Sequence, residues 1–195
     1  YRCPSCGKSF VDSYSYKAYL SSTNKWIVSL TKESSGTRSI ARLLGISPKT
    51  VTARILRIAS SIKPPLIPFG KKFEVDELWT YIGQKSKRRY IAYALRVDTN
   101  EVLLFAVGTR TKNHLRRVTD SLVLADAKKI YTDRLKAYRL LIPKAIHSTM
   151  QYGTNHIERM NTTLRCHLKR LNRKTIAYSK SLAMLNACLT IYFWS

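Results

Sequence analysis

Eleven carboxylates stand against 35 lysines and arginines in this chain of 195 residues, so each acid in so basic a background is a candidate for chemistry. Three stand where a metal site could be assembled. Asp76 interrupts Phe73-Glu74-Val75-Asp76-Glu77-Leu78-Trp79, a β-rich run in which a carboxylate is disfavoured unless it is exposed, paired or bound to a cation. Asp133 directly follows Ile130-Tyr131-Thr132, at the carboxyl end of a short strand, where open sheets present their ligands. Aspartate is equally a preferred N-cap, here for a helix starting at Arg134. Glu158 is the single acid among 11 Lys and Arg between residues 134 and 195. A solvated helical glutamate often has a base three or four residues away, yet those positions hold Thr154, Asn155, Asn161 and Thr162. On a helix Glu158 shares a face with Thr162, Arg165 and Lys169, one acid and two bases pointing the same way.

The chemistry open to such a set is phosphoryl transfer. Two or three convergent carboxylates hold hard divalent cations, Mg²⁺ or Mn²⁺, which activate water or a sugar hydroxyl on one side and stabilise the leaving oxygen on the other. Neighbouring Arg and Lys offset phosphate charge, and no nucleophilic side chain is required. The formal net charge of +24 fits a polyanionic partner, because clustered Lys and Arg gain affinity by releasing counterions from phosphates. Nucleic acid comes first as that partner and an anionic membrane surface second. Division at residue 70 leaves +9 before and +15 after it, so both parts could face phosphate.

The elements that must position these acids follow from periodicity. Residues 72–83, 90–98 and 101–108 are rich in Val, Ile, Tyr, Phe and Trp and read as a three-strand meander, with turns at 84–89 and 99–100. A helix at 114–124, a short strand at 129–132, a helix from about 134 to 141 stopped by Pro143, and a fifth strand at 145–149 follow. Ile157, Met160, Leu164, Leu168 and Leu171 then form a helical stripe. The order βββαβαβα with a final helix argues for an α/β fold with a mixed sheet and helices on its faces. The final segment, 182–194, is 13 residues interrupted by Asn186 and Thr190. It is shorter than the about 18–20 apolar residues that span a bilayer, and it reads as a buried or interface-forming helix.

Before the sheet, residues 17–60 read as helices. Trp26, Ile27 and Leu30 mark the first, Ile40, Ala41, Leu43 and Leu44 the second, and Val51, Ile55, Ile58 and Ala59 the third, which Ser47 caps and Pro48 opens. Ala41-x3-Gly45-x5-Val51 is the spacing of a helix-turn-helix: a small residue lets two helices approach, Gly takes the turn, and Val anchors the second helix. Its outer side would offer Lys49, Thr50, Thr52, Arg54 and Arg57 to a DNA groove. Residues 61–70 hold three prolines within five positions and read as an extended linker. At the start, Cys3-Pro-Ser-Cys6-Gly brings two thiolates to one tetrahedral cation, half of a structural Zn²⁺ site. Cys166 and Cys188 fall in helical patterns and read as small buried hydrophobes.

Composition excludes other classes. With 45% hydrophobic residues, seven Gly and six Pro, the chain is neither disordered nor collagenous. Four cysteines are too few for a disulfide scaffold. It opens with Tyr1-Arg2-Cys3 rather than a secretory leader, which leads to the expectation of a piece of a cytoplasmic protein with no membrane partner.

Taken together, Cys3-Pro-Ser-Cys6, the helix-turn-helix from Ile40 to Val51, Val75-Asp76-Glu77-Leu78-Trp79-Thr80-Tyr81-Ile82-Gly83, Tyr131-Thr132-Asp133-Arg134 and Asn155-His156-Ile157-Glu158-Arg159-Met160-Asn161 resemble the transposases of insertion sequence one, within the wider group of DDE transposases and integrases. Twenty-four residues separate Asp133 from Glu158, and Arg165 stands seven after Glu158, where similar enzymes place a base. The resemblance implies a zinc-ribbon remnant (1–16), a helix-turn-helix domain (17–60), a linker (61–70) and a ribonuclease-H-like catalytic domain (71–195). It also implies Asp76, Asp133 and Glu158 as the Mg²⁺ or Mn²⁺ triad, with Arg165 in support. Double-stranded DNA, both transposon ends and target, would be the substrate; self-association in a DNA complex and a nucleoid-associated prokaryotic setting would follow. The chain departs from the pattern at its amino end, where the first Cys pair of the family's ribbon has no counterpart.

Two rival readings stay open. His156-x-x-Arg159 with Tyr192 resembles the carboxyl half of a tyrosine-recombinase site, in which Tyr attacks phosphorus covalently. A helix-turn-helix regulator would use the charge alone and leave residues 71–195 as a dimerisation domain.

Overall fold

The computed structural model describes residues 1–12, 16–150 and 153–195; residues 13–15 of the expected ribbon remnant lie outside that description. Three helices come first, α1 (Thr23–Lys32), α2 (Thr37–Leu44) and α3 (Pro48–Ser61). The remainder runs β1 (Lys72–Ile82), β2 (Gln84–Arg96), β3 (Val102–Gly108), α4 (Lys112–Leu124), β4 (Lys129–Thr132), α5 (Lys136–Leu141), β5 (His147–Ser148), α6 (Asn155–His167) and α7 (Leu182–Trp194). This is the element order expected from periodicity.

The strands form one five-stranded mixed sheet in the order β3-β2-β1-β4-β5. β1 lies at its centre, antiparallel to β2 and parallel to β4. Because strand side chains alternate, β1 sends Phe73 and Val75 into a core under α4 and α5. Leu78 joins Ile91 and Tyr93 of β2 in a second core under α6 and α7. Both faces are therefore covered, and a charge on β1 is removed from water unless it lies at a strand end.

The hairpin between β1 and β2 differs from expectation. Residues 84–89 belong to β2, and the chain reverses at Gly83, whose φ of 71° is the left-handed conformation that glycine adopts without penalty. Polar composition concealed this strand, since residues Gln84 to Arg88 are all exposed and carry no alternation to read. α6 also ends earlier than its apolar stripe, at His167; a 3-10 turn, Lys169–Leu171, carries Leu171 into the same core. Cys188 is buried as expected, whereas Cys166 is exposed on α6, because the buried side of that helix is set by Ile157 and Leu164.

The amino-terminal helices do not close a core by themselves. Ile27, Ile40, Ala41, Val51 and Ile55 cluster with Ala187, Cys188 and Ile191 of α7, while Leu185 and Leu189 of the same helix face the sheet-side core. This explains why α7 is apolar on nearly every side. Its last aromatics are packed, with Phe193 and Trp194 at 5.6 and 5.0 Å from Phe105 and Trp194 Nε1 donating to Val102 O at 2.7 Å. Trp26, expected on the buried stripe of α1, is instead 56% exposed, since α1 buries Thr23, Ile27 and Thr31. No described helix is long and apolar enough to cross a membrane.

Truncating a large α7 side chain should loosen both cores at once. Leu189→Ala and Ile191→Ala are each expected to cost about 2–5 kcal/mol. In urea, fluorescence of variants retaining only Trp26 or only Trp79 should follow one shared transition, and two separated midpoints would show that the helices fold independently of the sheet.

Candidate active site

Parallel pairing of β1 with β4 sets Val75 opposite Thr132, so the next residues along the two strands, Asp76 and Asp133, come side by side. Carboxylate oxygens of Asp76, Glu77 and Asp133 all lie within 4.8 Å of one another. Asp76 is opposite Tyr93 of β2 and is held by two donors. Its Oδ1 accepts from Glu77 N at 2.7 Å. Its Oδ2 accepts from Asn161 Nδ2 of α6 at 2.6 Å, and Asn161 Oδ1 in turn accepts from the buried Tyr93 hydroxyl at 2.8 Å. Burial raises the Asp76 pKa above the ordinary aspartate value, and the nearby charges of Asp133 and Glu158 push it the same way.

Asp133 is exposed at the end of β4. Its Oδ1 accepts from Leu135 N at 3.0 Å, so the residue also organises the entry to α5, which begins two residues later than expected. Asp133 is therefore not the expected N-cap, since that position is Leu135 and no side chain caps α5; its bond instead closes the turn ahead of the helix. Glu158 is not in the 4.8 Å group. It is exposed in the first turn of α6, where Thr154 Oγ1 donates to its Oε1 at 2.9 Å. It stands three residues before Asn161, one helical turn along the same face, and Asn161 touches Asp76.

Two acids with no role assigned from sequence prove to be structural determinants of the site. Glu74, 2% exposed, accepts from Ile157 N at 2.7 Å and lies 2.6 Å from His156 Nδ1. It caps the otherwise unsatisfied first turn of α6 from the strand that the helix covers, a favourable place for a negative charge. Glu77 has a side chain only 2% exposed, with Oε2 3.1 Å from Arg110 Nη2; burial raises its pKa, against the pull of Arg110. Glu77 Oε1 and the Tyr138 hydroxyl are buried beside one another, with no other hydrogen-bond partner among the described residues. The readable signal was three acids in four positions of an apolar strand: alternation turns Glu74 and Asp76 towards α6 and Glu77 towards α5.

Other expected residues are placed differently. Arg165 donates to Leu171 O at 2.5 Å and Trp79 O at 3.2 Å, so it buttresses the turn after α6; burial and the charge of Arg173 lower its pKa. Lys169 lies beyond the α6 C-cap, Leu168, which breaks the helical face it was expected to share with Glu158 and Arg165. On α3, Lys49 and Arg57 are exposed. Thr50 bonds Tyr16 and Ser47, Thr52 bonds Pro48 O, and Arg54 donates to Asn24 Oδ1 and Ala18 O, both at 2.7 Å. Arg54 therefore departs from the expected groove-facing role, because helices α1 and α3 pack close enough for its head group to tie them together. The turn before α3 is as expected: Gly45 is left-handed (φ 64°) and Ser47 Oγ caps Thr50 N at 3.0 Å. Cys3 and Cys6 sit on a tight turn closed by Gly7 N to Cys3 O at 2.9 Å. A hydrogen bond with the Ser5 hydroxyl is the main cause that holds the Cys3 pKa down to about 6.

The donor set suits a hard divalent cation: oxygens of three carboxylates close together, two of them half-buried and one exposed on the rim. His156 and Tyr192 do not meet. Tyr192 OH is 2.7 Å from His167 Nδ1, and His167 is eleven residues after His156 on α6, about 16 Å along the helix axis.

Residues 72–194 match the family model described as IS1 transposase. Over 108 residues the chain is 36% identical to the insertion element iso-IS1n protein InsB of Shigella dysenteriae, covering 55% of this chain and 82% of that protein. Over 111 residues it is 35% identical to the insertion element IS1 protein InsB of Shigella sonnei, covering 57% and 85%. A chain in the cryo-EM structure of the simian T-cell lymphotropic virus intasome in complex with PP2A regulatory subunit B56 gamma is similar with a TM-score of 0.44 and 14% identity, over 80% of this chain and 64% of that one. The chain belongs to the IS1 transposase family.

Because the Asp76 pKa is raised by the fold, its neutral form favours the folded state. That contribution is complete below the ordinary aspartate pKa of 3.8 and is lost as pH rises through the raised value. In metal-free buffer the Tm difference between Asp76→Asn and the unaltered protein should therefore shift in favour of Asn as pH rises, read by differential scanning calorimetry. Mg²⁺ should then raise the Tm of the unaltered protein above that pH and leave Asp76→Asn little changed.

Proposed function

We propose that this chain is a DNA transposase of the DDE type, which binds the inverted-repeat ends of its element and cuts and joins DNA strands at a ribonuclease-H-like sheet. The observation that carries this reading is the convergence of Asp76 and Asp133 on adjacent parallel strands, with Glu158 on the helix that Asn161 and Glu74 bind to β1. When bound there, Mg²⁺ or Mn²⁺ would supply charge stabilisation and activation of the attacking hydroxyl. The chain's own part is to bring Asp76 and Asp133 together, to carry Glu158 on the helix that docks beside them, to hold Asp76 by Asn161 and the Glu77 amide, and to limit water on the β1 side. The attack is by water first and by the freed 3′ hydroxyl second, with the proton passing to solvent and the leaving oxygen departing in line.

Residues 17–60 would contact the ends through the α2–α3 unit, Lys49 and Arg57 having the free head groups. The Cys3–Cys6 turn would supply half of a Zn²⁺ site, and two or more copies would assemble on paired ends. The segment boundaries at 16, 60 and 70 belong to the same proposal. The tyrosine mechanism is disfavoured by the separation of Tyr192 from His156, and a pure regulator has no use for buried acids beside Asp133. One alternative ligand set merits its own test: Glu77, within the 4.8 Å group, could replace Glu158.

Strand transfer on end-containing duplex with Mg²⁺ should fall at least about a hundred-fold in Asp76→Asn, Asp133→Asn and Glu158→Gln, with DNA affinity little altered. Tyr192→Phe should retain activity, and no covalent protein–DNA adduct should form. Glu77→Gln should keep activity within about ten-fold; a large loss there with Glu158→Gln active would transfer the third ligand to Glu77.

A further inference from the structure

Two acid-free stretches lie within the sheet-bearing part of the chain. Residues 78–97 carry five Lys and Arg, and residues 159–195 carry seven. The fold brings them together at one end of the sheet. Gly83 N donates to Ser179 O at 2.9 Å, the Tyr81 hydroxyl donates to Thr175 O at 2.8 Å, and the Tyr81 and Tyr178 rings lie 5.4 Å apart. The β1–β2 hairpin is thereby braced against the segment between α6 and α7, through residues that are themselves buried: Tyr81 is 2% and Ser179 3% exposed.

On this braced support Lys85, Lys87 and Arg88 project from the hairpin, and Arg173, Lys174 and Lys180 from the segment, all exposed. Among the described residues none of the six takes part in an ion pair with a carboxylate. Gathering like charge without a partner destabilises the fold through self-repulsion, whereas a polyanion laid across the same groups offsets it. The surface is also placed with respect to the acids. Tyr81 follows Asp76 by five residues along β1, about 17 Å at the rise of a strand, which spans about five nucleotides of a B-form strand at about 3.4 Å each.

We propose that the β1–β2 hairpin and residues 172–181 form one phosphate-binding surface that holds double-stranded DNA about half a helical turn from the Asp76–Asp133 pair. The inference rests on the transposase reading for its substrate and adds to it the path of the duplex. Contacts of this kind position the duplex without reading its sequence, so they serve end and target DNA alike.

The experiment measures the affinity of the full chain for random-sequence duplex and for end-containing duplex by fluorescence anisotropy, over a range of salt. Two triple variants are compared, Lys85→Ala/Lys87→Ala/Arg88→Ala and Arg173→Ala/Lys174→Ala/Lys180→Ala, with Lys112→Ala/Arg116→Ala on α4 as the control. Each triple should weaken binding about ten-fold or more and reduce the slope of log K against log salt by about 2–3, close to 0.9 for every phosphate no longer neutralised, on both duplexes. Tm values unchanged or raised, as relief of self-repulsion would give, show that the variants are folded. Salt slopes in the triples equal to that of the control overturn the surface, even if the unaltered chain cuts and joins end DNA. Conversely, reduced slopes in the triples together with no Mg²⁺-dependent cleavage by the unaltered chain would uphold the surface and remove the transposase reading.

Discussion

Carboxylates on the middle strand of a sheet covered on both faces are the constraint from which the rest follows. Charge taken out of water is costly unless hydrogen bonds or opposite charge replace the lost hydration, and β1 carries three acids within four residues. Each receives a different answer. Glu74 takes the free amide of Ile157 and the ring of His156; Asp76 takes Asn161 and the amide of Glu77; Glu77 takes Arg110 on one oxygen and sets the other beside the Tyr138 hydroxyl. The first two answers both come from α6, so satisfying these acids is the same event as docking that helix. Glu158, exposed in the first turn of the same helix, is fixed relative to β1 by the contacts of its neighbours Ile157 and Asn161.

The same economy of partners shapes the electrostatics. Acids close to one another at the β1–β4 junction concentrate negative potential in a chain with a net charge of +24, and most of the positive charge is left without a carboxylate to pair with. A cation at the junction and phosphates along the surface are complementary needs of one distribution. α7 adds the mechanical counterpart: apolar on nearly all sides, it is wedged between the sheet and the amino-terminal helices, so the α2–α3 unit and the acid cluster are held through a shared helix.

Much of this was legible from residue order. Alternating and helical periods predict the succession of strands and helices, the turn at Gly45, the cap at Ser47 and the stop at Pro143, because each depends on neighbours within a few residues. Asp76, Asp133 and Glu158 stood out by type and context for the same reason. Long-range packing decided what failed. Residues 84–89 became a strand because β1 pairs with them, not because of their own pattern. Arg54 turned inward because α1 and α3 approach, Cys166 was exposed because Ile157 and Leu164 set the face of α6, and Lys169 left that face when the helix ended at His167.

Composition, charge and local conformation come from the sequence alone: a basic chain of βββαβαβα order in which acids are scarce and three of them fall within one strand. Which of those acids meet, and what holds them, follows from packing between distant segments. Strand pairing put Asp133 beside Asp76, and the need of a buried Glu74 for a donor tied α6 to β1. Packing also decided that Glu77, ordinary by position, is one of the closest three. Pairing partners are chosen by burial and hydrogen-bond satisfaction across distant segments, a balance that no local window of residues contains.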